Sequence, residues 1–353
     1  ATVDAVWWSR RNENLTLLPA QCRMVPVVER DALWLQAWQA ASRNLPLTIA
    51  RHLSQALADQ LDQQIKRFRP DVVHVEQLQT IGNCRSAFVH RCPVVLRQQN
   101  AETHLWQQMA SAEPMRHMLR MDTPRLRRFE SKTVLSCSRT ITLTADDAVQ
   151  LQALVGSDVN RIQHVAPPFP VSLDAAPAIS GTPAVVLAGS GGWLPNQQAA
   201  RWFVDHVWPL VVARLPAAIL HVFGGAPLSR TSVQWHASPA NSIEAFPRDA
   251  IAVVPLAVAS GIRMRILEAW ARGVPVVAST VAAGGLNTLD GRELLIANTP
   301  TEWVESLQRL AREPELGANL IARGRAYLRE HHDEQMAVPK LLAIYQQAID
   351  AYS

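Results

Sequence analysis

Residues 259–280 read A-S-G-I-R-M-R-I-L-E-A-W-A-R-G-V-P-V-V-A-S-T and set Arg263, Arg265 and Arg272 around a single carboxylate, Glu268. Ser260 and Gly261 stand before a helix predicted to start near Ile262, so that Arg263 and Arg265 fall in its first turn. The unpaired N–H groups and positive dipole end of a helix attract phosphate, and arginines there add full charges. Such a turn suits a diphosphate. Glu268 lies three residues after Arg265 and four before Arg272, a spacing that permits ion pairs on a solvated helix face. The same carboxylate could instead accept hydrogen bonds from ribose hydroxyls, and spacing alone leaves both readings open.

A second glycine turn, G-S-G-G-W-L-P-N-Q-Q-A-A-R-W-F, runs from Gly189 to Phe203 and follows an apolar run. Glycine lets a backbone approach a ligand closely, which makes Ser190 and Gly191 candidate phosphate contacts; the plainer reading is a turn between strand and helix. The turn is not G-x-G-x-x-G, and no acid follows at the distance a dinucleotide site needs. Further upstream, R-Q-Q-N-A-E-T-H-L-W places Gln99, Asn100 and Glu102 directly after the run Pro93–Leu96, either facing a ligand cleft or forming a helix-entry loop. Thr144 and Asp147 in T-A-D-D are spaced as an N-cap and its third helical residue, which needs no catalytic role. No Asp-x-Asp, H-E-x-x-H or G-x-S-x-G occurs, so the common signatures of metal-diphosphate, zinc and serine-hydrolase chemistry are missing. His331 and His332 end a polar helical stretch and are expected to be solvated. Trp34 and Trp38, one helical turn apart, could touch a lipid surface or pack against their own domain.

These groups need a scaffold. Short β-branched runs at 71–75, 93–96, 140–143, 184–188, 218–223, 251–254 and 274–277 alternate with helical patterns. Continuous apolar strands between helices indicate parallel sheets covered on both faces, an α/β fold. In such sheets ligands bind at the carboxyl ends of the strands, where the arginine turn and the 99–102 loop both fall. From His164 to Pro183 the chain carries five prolines and no periodicity, the composition of a linker between two halves. The chain of 353 residues also exceeds what one core organises. The tail from Pro300 is helical. A net charge of +4, with arginines dispersed rather than clustered, fits phosphate handling and lacks a nucleic-acid footprint. Cys22, Cys84, Cys92 and Cys137 show no metal or disulfide spacing and are read as free thiols of a reducing compartment. The longest apolar run, 250–259, is too short to span a bilayer.

Taken together these segments resemble the family 4 glycosyltransferases of the GT-B fold, in the branch that assembles bacterial polysaccharides and cell-surface glycans. The 189–209 segment is similar to that branch's Gly-Ser…Trp-x-Pro-Asn…Trp-Phe…Trp-Pro pattern, and 254–280 to its Lys-x-Leu-Glu-Ala-x-Ala-x-Gly-x-Pro-Val-Val block. The first half matches through P-D-V-V-H-V-E, Q-N-A-E, R-R-F-E at 127–130 and T-L-T-A-D-D.

The resemblance implies two Rossmann-like domains with parallel sheets facing across a cleft. Residues 1–168 would form the acceptor side, 169–335 would bind the nucleotide-sugar, and 336–353 would be a C-terminal helix crossing back to the first domain. Ser190, Gly191, Arg263 and Arg265 would meet the donor diphosphate and Glu268 the ribose. Gln99, Asn100, Glu102, Ser260, Gly261 and Ile262 would face the donor sugar and cleft. The activity implied is sugar transfer from a UDP- or GDP-sugar to a glycan or lipid-linked acceptor, with retention and without a metal or other cofactor. Its place would be the cytoplasm, with peripheral contact at the inner face of a bacterial membrane. No catalytic base is assigned, because same-face attack assisted by the leaving phosphate is the usual proposal for such enzymes. Three departures keep a non-catalytic nucleotide- or glycan-binding relative as the alternative. Ser260 stands where the family's second acid would be, and Gln99 stands in place of a histidine. Thr2–Trp8 resembles the family's second strand, so the first strand and glycine-rich loop are expected to be absent.

Overall fold

Each apolar run named above overlaps a strand in the computed structural model, which describes residues 3–8, 22–27, 38, 40–111, 116–156, 159–189, 193–225 and 230–352. The chain divides into two units, Ala1–Val165 with Lys340–Ser353, and Ala166–Pro339. Every ladder joining the named strands is parallel, as unbroken β-branched runs between helices require.

In the first unit β1 (Val3–Trp8) pairs with β2 (Cys22–Val27). A four-stranded sheet follows in the order β3 (Val73–Glu76), β4 (Val94–Gln98), β5 (Arg139–Thr142), β6 (Ile162–His164). Three of its helices position the residues of interest: α1 (Glu102–Ser111), α2 (Arg116–Ser136) and α3 (Ala145–Val155). Helix α3 starts as T-A-D-D predicts, with the Thr144 side chain accepting from the Asp147 backbone N–H, and ends on Gly156 at φ 87°, a left-handed cap that glycine adopts without strain.

The second unit holds a six-stranded sheet in the order β12 (Leu295–Ile296), β11 (Val276–Ala278), β10 (Ala250–Val254), β7 (Ala184–Ala188), β8 (Ile219–Phe223), β9 (Val233–His236). Side chains alternate across it. Val186 and Ala252 enter one core with Trp270, whereas Val185, Leu187 and Val253 enter the other with Trp208 and Trp303. The helices that matter for the site are α4 (Leu194–Trp202), α5 (Met264–Ala271), α6 (Pro300–Arg312) and α7 (Pro314–His331). Helix α8 (Glu334–Asp350) runs through the division at 339/340.

Strands β6 and β9 were not legible as apolar runs because both lie at a sheet edge, where one side of the strand stays partly exposed. The proline-rich segment after β6 is no free linker either. Its backbone is bonded to the second unit at Phe169 N–His332 O (2.9 Å), Leu173 N–Ala271 O (3.0 Å) and Ala176 N–Phe246 O (3.1 Å). Without regular structure of its own it still satisfies its buried donors, as a packed loop must.

Candidate functional site

Two strand ends of the second unit, β7 and β10, are neighbours in the sheet. Their carboxyl ends border a pocket with Val186, Ala188, Phe246, Leu256, Asn196 and Arg265 among its lining residues. Among the described residues Arg265 is the only charged one of that lining. Its Nη1 donates to Asn196 Oδ1 at 3.3 Å and its Nη2 to Gly189 O at 3.1 Å. Burial pushes the guanidinium below the ordinary arginine range, and the Glu268 charge works the other way. An arginine nonetheless stays protonated at neutral pH.

Gly189 is the residue that turns the chain after β7, at φ 72°. A Cβ built there would stand 2.1 Å from Arg265 Nη2, so a side chain at 189 and the arginine cannot share the space. The predicted phosphate contacts Ser190 and Gly191 lie outside the described residues.

Helix α5 begins at Met264 with Arg263 as its N-cap. This corrects the expected start at Ile262 and takes Arg263 out of the first turn, leaving Arg265 inside it. Gly261, at φ 72°, makes the bend before the helix, a conformation that L side chains resist. Ser260 is buried, and Ile262 packs partly buried against the core that contains Trp270.

The far end of α5 is held as firmly. Arg325 of α7 donates through Nε and Nη2 to the carbonyls of Trp270 and Ala271 at 3.3 and 3.1 Å, partnering carbonyls that a helix end would leave bare.

Glu268 settles between its two readings. Arg272 reaches Glu268 Oε1 through Nε and Nη2, both at 2.9 Å, so the i,i+4 ion pair exists. The face is not solvated, however: the side chains of Arg272 and Glu268 are 9% and 15% exposed. Arg272 is further tied to Asp174 O and, at 3.4 Å, to Ser242 Oγ. Glu268 is therefore a partly buried carboxylate of fixed orientation.

In the first unit the loop after β4 is pinned by acids. Glu130, on the buried Leu126–Glu130–Val134 stripe of α2, is 0% exposed. Its two oxygens accept from the backbone N–H groups of Glu102 (2.9 Å) and Thr103 (2.8 Å), capping α1 with a carboxylate from another helix. Asp147 Oδ1 of α3 accepts from Ala101 N at 3.1 Å. Burial pushes the Glu130 carboxyl up to about 7, against the Thr103 hydrogen bonds and with help from the Glu102 charge. Burial also raises Glu102, opposed by Gln79 and Asn100.

Of the predicted residues, Gln99 is exposed and Asn100 partly buried. Asn100 donates through Nδ2 to Glu102 Oε1 at 3.3 Å, and Glu102 is itself buried. Glu130, Asp147, Asn196 and Gly189 were not singled out as site residues. Glu130 carried a signal all the same, since an acid at i+4 from Leu126 and i−4 from Val134 on an apolar stripe has to be partnered.

Elsewhere the expectation for His332 is corrected. It is buried, with Nδ1 2.7 Å from Pro167 O, because its carbonyl and ring anchor the segment entering the second unit. His331 is exposed. Trp38 leaves 59% of its surface exposed rather than packing on its unit, and Trp34 lies outside the described residues. Cys84, Cys92 and Cys137 are free thiols. Among the described residues no helix is long and apolar enough to cross a membrane, and no group of three or more His, Cys, Asp and Glu could hold a metal ion.

Residues 182–313 match the family model described as Glycosyl transferases group 1, a span that includes Gly189, Asn196, Arg265 and Glu268. Among solved structures the chain is similar to sucrose-phosphate synthase from Thermosynechococcus elongatus, at 12% identity and TM-score 0.71 over 99% of this chain and 90% of that one. It is similar to HepE from Anabaena in complex with UDP and glucose, at 11% identity and TM-score 0.62 over 93% and 85%. TarM matches at 12% identity and TM-score 0.64 over 83% of this chain, which spans 59% of TarM's length. Identities this low speak to architecture: the chain has the α/β GT-B fold with parallel sheets.

Proposed function

We propose that this chain is a glycosyltransferase that moves a sugar from a nucleotide-sugar to a glycan or lipid-linked acceptor, with retention of configuration and without a metal ion. The observation that carries the reading is the arginine seat at the ends of β7 and β10. Arg265 is a partly buried cation held by two neutral oxygens, inside the region that matches the Glycosyl transferases group 1 model. A cation that is already partly desolvated and oriented stabilises charge that develops as a leaving diphosphate departs, which lowers the barrier rather than merely tightening ground-state binding. Arg263, Ser260 and Gly261 would line the same diphosphate and the donor sugar, together with Ser190 and Gly191. Glu268, its Oε1 fixed by Arg272, would present Oε2 to the ribose hydroxyls. The ion pair and the ribose role are compatible, because the arginine orients the carboxylate through Oε1 and the second oxygen would serve the ribose.

The donor would be a UDP- or GDP-sugar; HepE was solved with UDP. Gln99, Asn100 and Glu102, like Ile262, would face the donor sugar and cleft. A cytoplasmic site, with contact at the inner face of a bacterial membrane through Trp38, fits an acceptor carried on lipid.

The test is a thermal-shift screen of UDP-, GDP- and ADP-sugars. One nucleotide class should raise the melting temperature by mass action, and Glu268→Ala should abolish the shift. Turnover of that donor with added glycan or lipid-linked acceptors, followed by NMR of the product anomer, checks transfer and retention. No shift with any nucleotide would sink the reading. A shift without turnover across the acceptor panel would favour a non-catalytic binder.

A further inference from the structure

The guanidinium of Arg265 sits on Gly189 and against Asn196, and both of those contacts are made to uncharged oxygens. Asn196 lies in the first turn of α4 and is 5% exposed. Its own backbone N–H is bonded to Trp193 O at 3.1 Å, so the residue that offers Oδ1 to Nη1 is itself fixed. The second oxygen, Gly189 O, is set by a left-handed turn at φ 72° whose missing Cβ makes room for Nη2. Two elements, the β7 turn and α4, thus grip two nitrogens of one side chain that arrives from a third, α5.

The chemistry of the grip is selective. An Asp at 196 would hold the guanidinium at least as tightly and would also cancel its charge. An amide oxygen orients the fork and leaves the positive charge available to an incoming anion. A glycine carbonyl does the same from the other side. We infer that Asn196 and Gly189 are positioning residues for Arg265, holding its guanidinium by neutral acceptors so that the site binds the diphosphate of a nucleotide rather than the nucleoside alone.

This rests on the donor reading given above and deepens it, because the roles fall on residues that need not touch the ligand. It also assigns a reason for the Asn of W-L-P-N: position 196 must accept a hydrogen bond, be short enough to stay in the first turn of α4, and be uncharged.

The experiment is calorimetric titration of the full chain with UDP and GDP and with the matching nucleosides, for wild type, Asn196→Ala, Asn196→Asp, Arg265→Ala and the double variant Asn196→Ala/Arg265→Ala. With the nucleotide that binds, Asn196→Ala should weaken the diphosphate by about 10- to 100-fold, the worth of one hydrogen bond to a charged group. The nucleoside should be affected less than about twofold. The isosteric Asn196→Asp guards against misfolding and should lose at least as much, by neutralising the cation. In the Arg265→Ala background Asn196→Ala should cost less than about twofold, since its only task is gone. Gly189→Ala should behave like Arg265→Ala.

Diphosphate affinity unchanged in both Asn196 variants would overturn the inference and leave the donor reading intact. So would an Asn196→Ala loss that persists without Arg265, or one shared equally by the nucleoside. A wild-type chain that binds no nucleotide overturns the donor reading, and this inference falls with it.

Discussion

The loop after β4 and the turn after β7 sit at equivalent places, each at the carboxyl end of a parallel strand leading into a helix, yet they are fastened by opposite chemistry. In the first unit the fasteners are buried acids: Glu130 and Asp147 accept backbone N–H groups of Ala101, Glu102 and Thr103. In the second the fastener is a partly buried cation: Arg265 donates to a backbone carbonyl and an amide oxygen. The carboxylates use up donors at a helix N-terminus that an anion would otherwise claim. The arginine leaves its charge unspent. The α/β scaffold therefore provides two similar strand ends fastened by groups of opposite sign.

Removing Glu130 should give the largest effect. Glu130→Ala leaves two N–H groups of α1 without partners inside the core, at a cost of about 2–5 kcal/mol. Urea unfolding near pH 6 measures it, and hydrogen exchange at Glu102 and Thr103 should accelerate. A loss under about 1 kcal/mol would mean that the acids do not fasten the loop.

The second unit breaks more mildly through packing behind α5. Gly324 of α7 lies so close to Trp270 that an added Cβ would stand 2.3 Å from its ring. Gly324→Ala should therefore cost about 1–3 kcal/mol by overpacking and weaken nucleotide binding by shifting α5. A melting temperature equal to wild type would show that α5 is not wedged there.

The pH responses sharpen the contrast. Glu130 is raised to about 7, so the folded chain binds its proton more tightly than the unfolded one. Its contribution is fully present below the ordinary carboxylate pKa and is lost as pH rises through about 7. In the second unit, burial lowers both His221 and His236, and the charge of His221 lowers His236 further; they stand 3.0 Å apart, with His221 Nε2 bonded to Ser180 O. Their contribution is present above about pH 6.5, the ordinary imidazole value, and is lost as pH falls through their folded-state values. His164 of the first unit, also lowered by burial, runs in the same direction as the pair. Glu130→Gln should remove the loss of stability between pH 5 and 8 that wild type suffers on alkalinisation. His221→Gln should flatten the acid side, read by unfolding at a series of pH values. A Glu130→Gln curve parallel to wild type would contradict the assigned shift.

The smallest effect belongs to Gln99. The side chain is exposed, so Gln99→Ala should change stability by less than about 0.5 kcal/mol. If Gln99 faces the donor sugar, the same variant should lower turnover of the nucleotide-sugar while binding of the bare nucleotide stays constant. A stability loss above about 1 kcal/mol would place Gln99 in the fastening and out of the site.

Much of this arrangement could be read from composition and period. The apolar runs of β7 and β10 announced a buried parallel sheet, because only a strand covered on both faces tolerates five consecutive apolar residues. Thr144 and Asp147 announced a helix start for a local reason, a side-chain oxygen within reach of an N–H three residues on. The S-G-I-R-M-R turn announced a helix start with arginine in its first turn because helix polarity is also local. By contrast, nothing near residue 130 says which backbone its carboxylate caps, nothing in W-L-P-N says that Asn196 will meet an arginine 69 residues away, and nothing in Arg272 names Asp174 and Ser242 as its further partners. Glu268 shows where the line falls. Spacing determined that it could pair with Arg272. Only the packing of the proline-rich segment and Ser242 against that arginine decided that the pair would be withdrawn from solvent, which turns a surface ion pair into a fixed carboxylate.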